Sequence, residues 1–272
     1  MTSFESGSMP GQWLNPALDA GLLSRIEDAS INASAPREQV WMDGWLVRTC
    51  PGKAKRARCI NAVAPGRLPM AAKLERAREV FRQAGLPMVV RLTPFSQPPG
   101  LDELLADQGM SALDDTRVMV LRDPARLPAA GLPAGWTCRE EVPAAYARTV
   151  GAWRGSPDDQ VRAHVGRVTA APVPHRALVL CDVSGQALCG GQYVREGDLV
   201  GLYDIFTAAT QRGRGLARRL CQLLLQAAAK EGAQTAYLQV EADNAPARAV
   251  YAGLGFIDSY SYRYRAEGLD AH

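Results

Sequence analysis

Arg212-Gly213-Arg214-Gly215-Leu216-Ala217 joins a β-branched and aromatic run, Leu199 to Thr207, to an apolar-periodic segment, Leu216 to Glu231. Two glycines one residue apart let a backbone turn tightly and come close to a ligand. A helix opening there offers its unpaired first N–H groups at the positive end of its dipole, a setting that suits a phosphate. Arg212, Arg214 and Arg218 add charge-assisted donors around it. The plainer reading is a tight strand-to-helix turn with exposed arginines, and this segment alone does not decide between the two. A second basic run, Lys53, Lys55, Arg56 and Arg58, is either a solvated face or, if it looks toward the second half of the chain, a clamp for a substrate carboxylate.

The glycine turn needs a strand before it and a helix after it. Leu199 to Thr207 reads as the strand. Leu216, Leu220, Leu223, Leu224, Ala227 and Ala228 fall at i, i+4, i+7, i+8, i+11 and i+12, one buried stripe of a helix. Around them the spacing predicts strands at Trp136 to Glu141, Ala177 to Val183, Ala187 to Val194, Thr235 to Glu241 and a last one to about Tyr264. Helices are expected near Ala144 to Trp153, Pro157 to Val168 and Pro246 to Leu254. Upstream, Leu14 to Ser30, Met70 to Gln83 and Leu101 to Gln108 read as helices, with strands at Ala57 to Ala64, Met88 to Leu92 and Arg117 to Leu121 and a hairpin over Gln39 to Thr49 turning at Asp43-Gly44.

Asp123 to Gly135 carries three prolines and two glycines among small residues and reads as a connector. The expected organisation is a flexible start at 1–12, a first domain at 13–122, a linker at 123–133 and a second domain at 134–272. A weak repeat supports two related halves: Leu105 to Met110 matches Tyr251 to Phe256 in placement, as a helix end, a glycine cap and an apolar entry to a strand.

Composition narrows the partners. The 272 residues are 47% hydrophobic and 22% charged, enough for a sizeable packed core. A net charge of +3 is too small and too dispersed to argue for nucleic acid. The opening residues lack the pattern of a secretory signal and no run of 18 apolar residues occurs, so a cytoplasmic protein without membrane contact is expected. Six cysteines without a Cys-x-x-Cys pair and three histidines point to free thiols and no metal site. Oligomeric state is not legible.

Arg212 to Ala217 resembles the R/Q-x-x-G-x-G/A signature of the GNAT acetyltransferase superfamily, and Asn244 to Phe256 is similar to the N-x-x-A-x-x-x-Y-x-x-x-G-F segment of the same superfamily. The order of elements over 134–265 is also what that resemblance predicts. It implies an α/β (α+β) GNAT-type fold, a mixed central sheet flanked by helices, with a degenerate GNAT-like first half. It implies N-acetyltransfer from acetyl-CoA to a primary amine of a small molecule or peptide. Backbone amides of Arg212, Gly213, Arg214, Gly215, Leu216 and Ala217 would hold the pyrophosphate with Arg218 adding a charged donor beside it, while main-chain groups of Ile205, Phe206 and Thr207 pair with the pantetheine arm. Asn244 would hydrogen-bond that arm, although it is also well placed to cap the helix at Pro246. Tyr251 would be the general acid for the departing thiolate, the bland alternative being a core phenol. Where some members carry a glutamate, this chain has Gln239, which takes no proton; Glu241 is the candidate base, with Asp204 in reserve or a water relay. Either carboxylate is equally readable as a surface charge.

Two other classes compete. A dinucleotide-binding oxidoreductase would need a glycine where Arg218 stands, and Ala208 to Gln211 sets the glycines too far from the strand. A coenzyme A-binding sensor without turnover is kept open by Gln239 and opposed by Tyr251.

Overall fold

The computed structural model describes residues 13 to 268, so the start expected to be flexible at 1–12 lies outside the described residues. In chain order the elements are α1 (Ala20–Ala33), β1 (Gln39–Met42), β2 (Trp45–Arg48), β3 (Ile60–Ala62), α2 (Met70–Gln83), β4 (Val89–Leu92), α3 (Leu101–Asp107) and β5 (Ser111–Arg122). They continue as β6 (Thr137–Glu141), α4 (Pro143–Arg154), α5 (Asp158–Ala170), β7 (His175–Cys181), β8 (Ala187–Glu196), β9 (Leu199–Thr207), α6 (Leu216–Lys230), β10 (Thr235–Glu241), α7 (Ala245–Gly253) and β11 (Ile257–Ala266).

The strand expected over Ala57 to Ala64 narrows to Ile60–Ala62, with Ala57 closing a 3-10 turn, and two further spans differ from the sequence expectation. The first helix starts at Ala20 rather than Leu14, because the Asp19 carboxylate accepts the Leu22 N–H at 2.7 Å and caps it there. Leu14 is instead bridged to Tyr260. β5 is twelve residues long rather than the five of Arg117 to Leu121, because strands flank it on both sides and Asp114 and Asp115 interrupt its apolar pattern without ending its ladder.

The eleven strands among the described residues form one mixed sheet in the order β1-β2-β3-β4-β11-β5-β10-β9-β8-β7-β6. β3 runs parallel to β4 and β9 parallel to β10; each of these pairs is joined by a helix, α2 in the first case and α6 in the second. The succession β1-β2-β3-α2-β4-α3-β5 therefore repeats in β7-β8-β9-α6-β10-α7-β11. The closing strands of the two series are exchanged. β5 lies against β10 and β11, and β11 lies against β4 and β5. The matched helix ends are also alike: Gly109 N donates to Ala106 O at 2.8 Å and Gly255 N to Ala252 O at 2.9 Å.

α6 buries Leu216, Leu220, Leu224 and Leu225 on one face of the sheet with Leu202, Leu238 and Val240. Each such leucine is worth about 1.5–3 kcal/mol of transfer free energy. On the opposite face α1 packs Leu22, Leu23 and Ile26 against Tyr203, Tyr237 and Tyr260. A buried ion pair ties this helix to the sheet: Glu27 accepts from Arg91 Nη2 at 3.1 Å and from the Tyr260 hydroxyl at 2.7 Å. The proline-rich stretch at 123–133 leans on α6, where Gln226 donates to the Pro128 carbonyl at 2.9 Å and Leu127 and Leu132 pack on the core.

Candidate active site

β9 and β10 pair only from Leu199 opposite Thr235 to Leu202 opposite Leu238. Beyond that point β9 continues to Thr207 and β10 to Glu241 without pairing to each other, while β10 stays in register with β5 up to Glu241 opposite Thr116. β9 is the strand that turns away. Its register on β8 shifts between Gly190 opposite Phe206 and Gln192 opposite Tyr203, so Asp204 and Ile205 share one partner position, and Asp204 adopts φ +51. The wedge leaves one main-chain edge of Tyr203 to Thr207 without a strand partner, and an extended ligand can satisfy it.

The bulge is clamped from several sides. The Tyr146 hydroxyl donates to the Asp204 carbonyl at 2.7 Å. The Asp204 carboxylate takes Arg154 Nη1 at 3.0 Å and Gln192 Nε2 at 3.1 Å, with His164 Nε2 at 3.0 Å. Gly190 makes room for this clamp, since a Cβ there would fall 2.3 Å from the Tyr146 ring. Burial alone would raise the Asp204 pKa, but the bond and charge of His164, with Arg154 and Arg167, hold it well below the usual carboxylate range. Asp204, the reserve candidate for base, is thus a held anion that organises the bulge and a poor proton acceptor.

Along the wedge runs a cleft of about 620 Å³ lined by Ile205, Phe206, Thr207, Arg212, Gly213, Gly215, Leu216, Ala217, Arg218 and Asn244, with Val250 beyond. Gly215 sits at φ +72 immediately before α6, and a Cβ there would meet nothing within 4 Å; the backbone conformation, not space, calls for glycine. α6 starts without a side-chain cap and its first turn bond runs from Arg219 N to Gly215 O, so the N–H groups of Leu216, Ala217 and Arg218 face the cleft mouth without an acceptor among the described residues. The three arginines separate. Arg212 lies over the Phe206 ring at 5.5 Å, and Arg218 donates to Gly253 O at 3.0 Å, both lining the cleft. Arg214 does not line it; its guanidinium lies 5.7 Å over Trp136 and bonds to Gln211. The side chain of Ile205 packs with the α6 core, and Phe206 stacks on Trp153 with ring centres 6.2 Å apart.

A second chamber, of about 520 Å³, meets the first at Ile205, Asn244 and Ala247. Tyr251 and Glu241 both line it. The Tyr251 hydroxyl has no hydrogen-bond partner among the described residues, and burial pushes its pKa well above that of a free phenol. Glu241 is exposed on the last residue of β10. Asn244 Oδ1 accepts the Ala247 N–H at 3.2 Å, which caps α7 and leaves its amide nitrogen without a partner among the described residues. The basic run of the first half does look toward the second: Lys53, Lys55, Arg56 and Arg58 all line this chamber. Arg56 bonds to Gln239, which also accepts the Tyr262 hydroxyl at 2.9 Å. Tyr146, Arg154, His164 and Gln192 escaped sequence reasoning; their only trace was the Gly190-Gly191 pair inside a strand pattern. Among the described residues no cluster of His, Cys, Asp and Glu could hold a metal ion, and no helix is long and apolar enough to cross a membrane.

Residues 23–265 match the model of a family described as probable histone acetyltransferase Rv0428c C-terminal. No curated protein sequence matches this chain. Among solved structures, a GCN5-related N-acetyltransferase from Kribbella flavida is 17% identical and superposes over 93% of this chain and 98% of its own, with a TM-score of 0.67. A GCN5-related N-acetyltransferase from Sphaerobacter thermophilus is 17% identical over 74% of this chain and 69% of its own, with a TM-score of 0.59. A tandem GNAT protein from the clavulanic acid biosynthesis pathway is 18% identical over 74% of this chain and 70% of its own, with a TM-score of 0.57.

Proposed function

The chain belongs to the family described as probable histone acetyltransferase Rv0428c C-terminal, within the GNAT acetyltransferases, and from that premise we propose that it transfers an acetyl group from acetyl-CoA to a primary amine. One observation carries this reading. The glycine turn, the unpaired edge of β9 and the Tyr251 chamber are continuous, because the two clefts share Ile205, Asn244 and Ala247.

The residues present suit the cosubstrate. Main-chain N–H groups from Arg212 to Arg218, with the side chains of Arg212 and Arg218, would hold its pyrophosphate. Main-chain groups of Ile205, Phe206 and Thr207, with the amide nitrogen of Asn244, would hold its extended arm. Acetyl-CoA supplies an activated thioester. The amine nitrogen bonds to the carbonyl carbon as the C–S bond breaks; Tyr251 gives its proton to the leaving sulfur, and Glu241, directly or through water, takes the proton the amine loses. An N–H of the β9 bulge polarises the carbonyl, and positioning supplies much of the rate.

We also propose that residues 13–122 are a degenerate copy that shapes the acceptor site, with 134–272 as the working copy. The family description names a histone as acceptor. The basic lining of the chamber argues against a lysine-rich tail for this chain, since cation would meet cation.

Calorimetry with acetyl-CoA, followed by thiol release against a panel of amines, tests the reading. Uptake with thiol release supports it. Uptake without release from any amine makes the chain a coenzyme A sensor, and no uptake removes both.

A further inference from the structure

The loop that carries Lys53 to Arg58 is fixed by its own backbone. Cys50 N donates to Ala57 O at 3.0 Å, Ala57 N to Ala54 O at 2.9 Å and Arg58 N to Lys55 O at 3.0 Å. It lies across the second half, with Arg56 bonded to Gln239 on β10 and 3.3 Å from the Tyr262 hydroxyl on β11. Between this loop, α4 and α5 opens a side chamber of about 200 Å³, which has Arg167 and His164 in its wall and shares Lys53, Arg154 and Asp204 with the Tyr251 chamber.

Six cationic side chains, Lys53, Lys55, Arg56, Arg58, Arg154 and Arg167, face three carboxylates, Asp114, Asp204 and Glu241, across these two spaces. Two of the cations are already engaged, Lys55 with Asp114 at 2.7 Å and Arg154 with Asp204 at 3.0 Å. Among the described residues Lys53, Arg56, Arg58 and Arg167 have no carboxylate within ion-pair distance, and Arg58 Nε is buried without a hydrogen-bond partner. Burial pulls the Arg167 pKa below its ordinary value, and the charge of Arg56 adds to that against the opposing pull of Asp204. Lys53 is exposed, but like charges withdrawn from water without counter-ions, as Arg56, Arg58 and Arg167 partly are, are costly unless a ligand brings the negative charge.

Resting on the acetyl-transfer reading above, we infer that the acceptor is a small amine that also carries an oxyanion, a carboxylate or a phosphate. The oxyanion seats among Lys53, Arg56, Arg58 and Arg167, and the amino group meets Tyr251 and Glu241. Guanidinium groups suit this task, since their planar forks take two oxygens of a carboxylate or phosphate at once.

The test measures thiol release from acetyl-CoA by the full chain with β-alanine, glycylglutamate and O-phosphoethanolamine, set against β-alaninamide, putrescine and a lysine-rich peptide. The expected result is a kcat/KM for an anionic amine at least about ten-fold above its uncharged or cationic counterparts, with the better of the carboxylate and phosphate arms naming the oxyanion. Lys53→Gln and Arg58→Gln should each raise KM for that amine about ten-fold with a smaller change in kcat, so that the preference for acid over amide collapses toward one. Equal or better turnover of the amide, the diamine or the basic peptide overturns the inference and leaves acetyl transfer standing. Where no amine turns over, calorimetry with the same pairs decides: heat from the acids alone upholds the anion seat while retiring the transferase reading, and heat from neither overturns it.

Discussion

The Tyr262 hydroxyl, on β11, donates to Gln239 Oε1 on β10 at 2.9 Å. The same oxygen accepts from Arg56 of the first half, so this polar position of β10 is a junction of three segments. Gln239→Glu would set a carboxylate against the Arg56 guanidinium and under a phenol donor, which lowers its pKa and makes it a poor base. We expect thiol release at pH 7 to stay at or below that of the parent chain and the pH–rate profile to keep its shape. A rise of ten-fold or more would show that the position can serve as a base.

Tyr251 stands in the chamber that meets the glycine-turn cleft, its hydroxyl without a partner among the described residues. Tyr251→Phe should lower kcat about 10²-fold, the usual scale for loss of a general acid, while the acetyl-CoA dissociation constant moves less than about three-fold. Equal losses in both would mean the ring serves only to pack against Phe256, whose ring centre lies 6.0 Å away.

An added Cβ at Gly215 meets open space, so its substitution exerts only a conformational penalty. Gly215→Ala should lower stability by about 1–2 kcal/mol, and Gly215→Asn by visibly less, because asparagine tolerates the left-handed region. Chemical denaturation of the two variants distinguishes this from a packing role, in which the larger side chain would be the more harmful.

The buried Glu27 carboxylate is the counter-ion of Arg91, whose guanidinium lies 3.9 Å over the Tyr262 ring. Glu27→Ala should destabilise the fold by about 3–5 kcal/mol by stranding that charge. Glu27→Ala combined with Arg91→Met should recover much of the loss; a double variant no more stable than the single one would count against charge burial as the cause.

His175 is buried with Nε2 at 3.1 Å from the Ala33 carbonyl, and burial, aided by Arg167, holds its pKa at about 4 against 6.5 in a free chain. Between those values the unfolded state binds more protons than the folded one, so stability falls as the pH falls through this window, by at most about 1.4 kcal/mol per pH unit. Denaturation midpoints at pH 4.5 and 7 for the parent and His175→Gln should differ more in the parent.

Much of the second half was legible from its residues because its signals are local. Leu199 to Thr207 and Thr235 to Glu241 are strands rich in apolar and aromatic residues, and the leucine stripe from Leu216 fixes one face of α6. The cleft-lining positions Arg212 to Arg218 follow from one strand–turn–helix junction; Arg214 departs because Trp136, distant in sequence, offers its ring. What remained hidden depends on long-range register. The bulge at Asp204 requires the Tyr146, Arg154 and His164 side chains of two other helices, and no spacing within Leu199 to Thr207 announces it. The extension of β5 was hidden in the same way, its polar Asp114 and Asp115 resembling a loop until two neighbouring strands supply the ladder.

Because β11 fills the slot between β4 and β5, the early segments acquire their final neighbour only once Ile257–Ala266 has left the ribosome. Premature termination just ahead of Ile257 would bare two facing edges in the middle of the molecule, each ready to recruit a foreign strand. Truncation there would thus yield sticky fragments, and severing the polypeptide at the proline-rich connector would leave two pieces whose strands belong to one shared sheet.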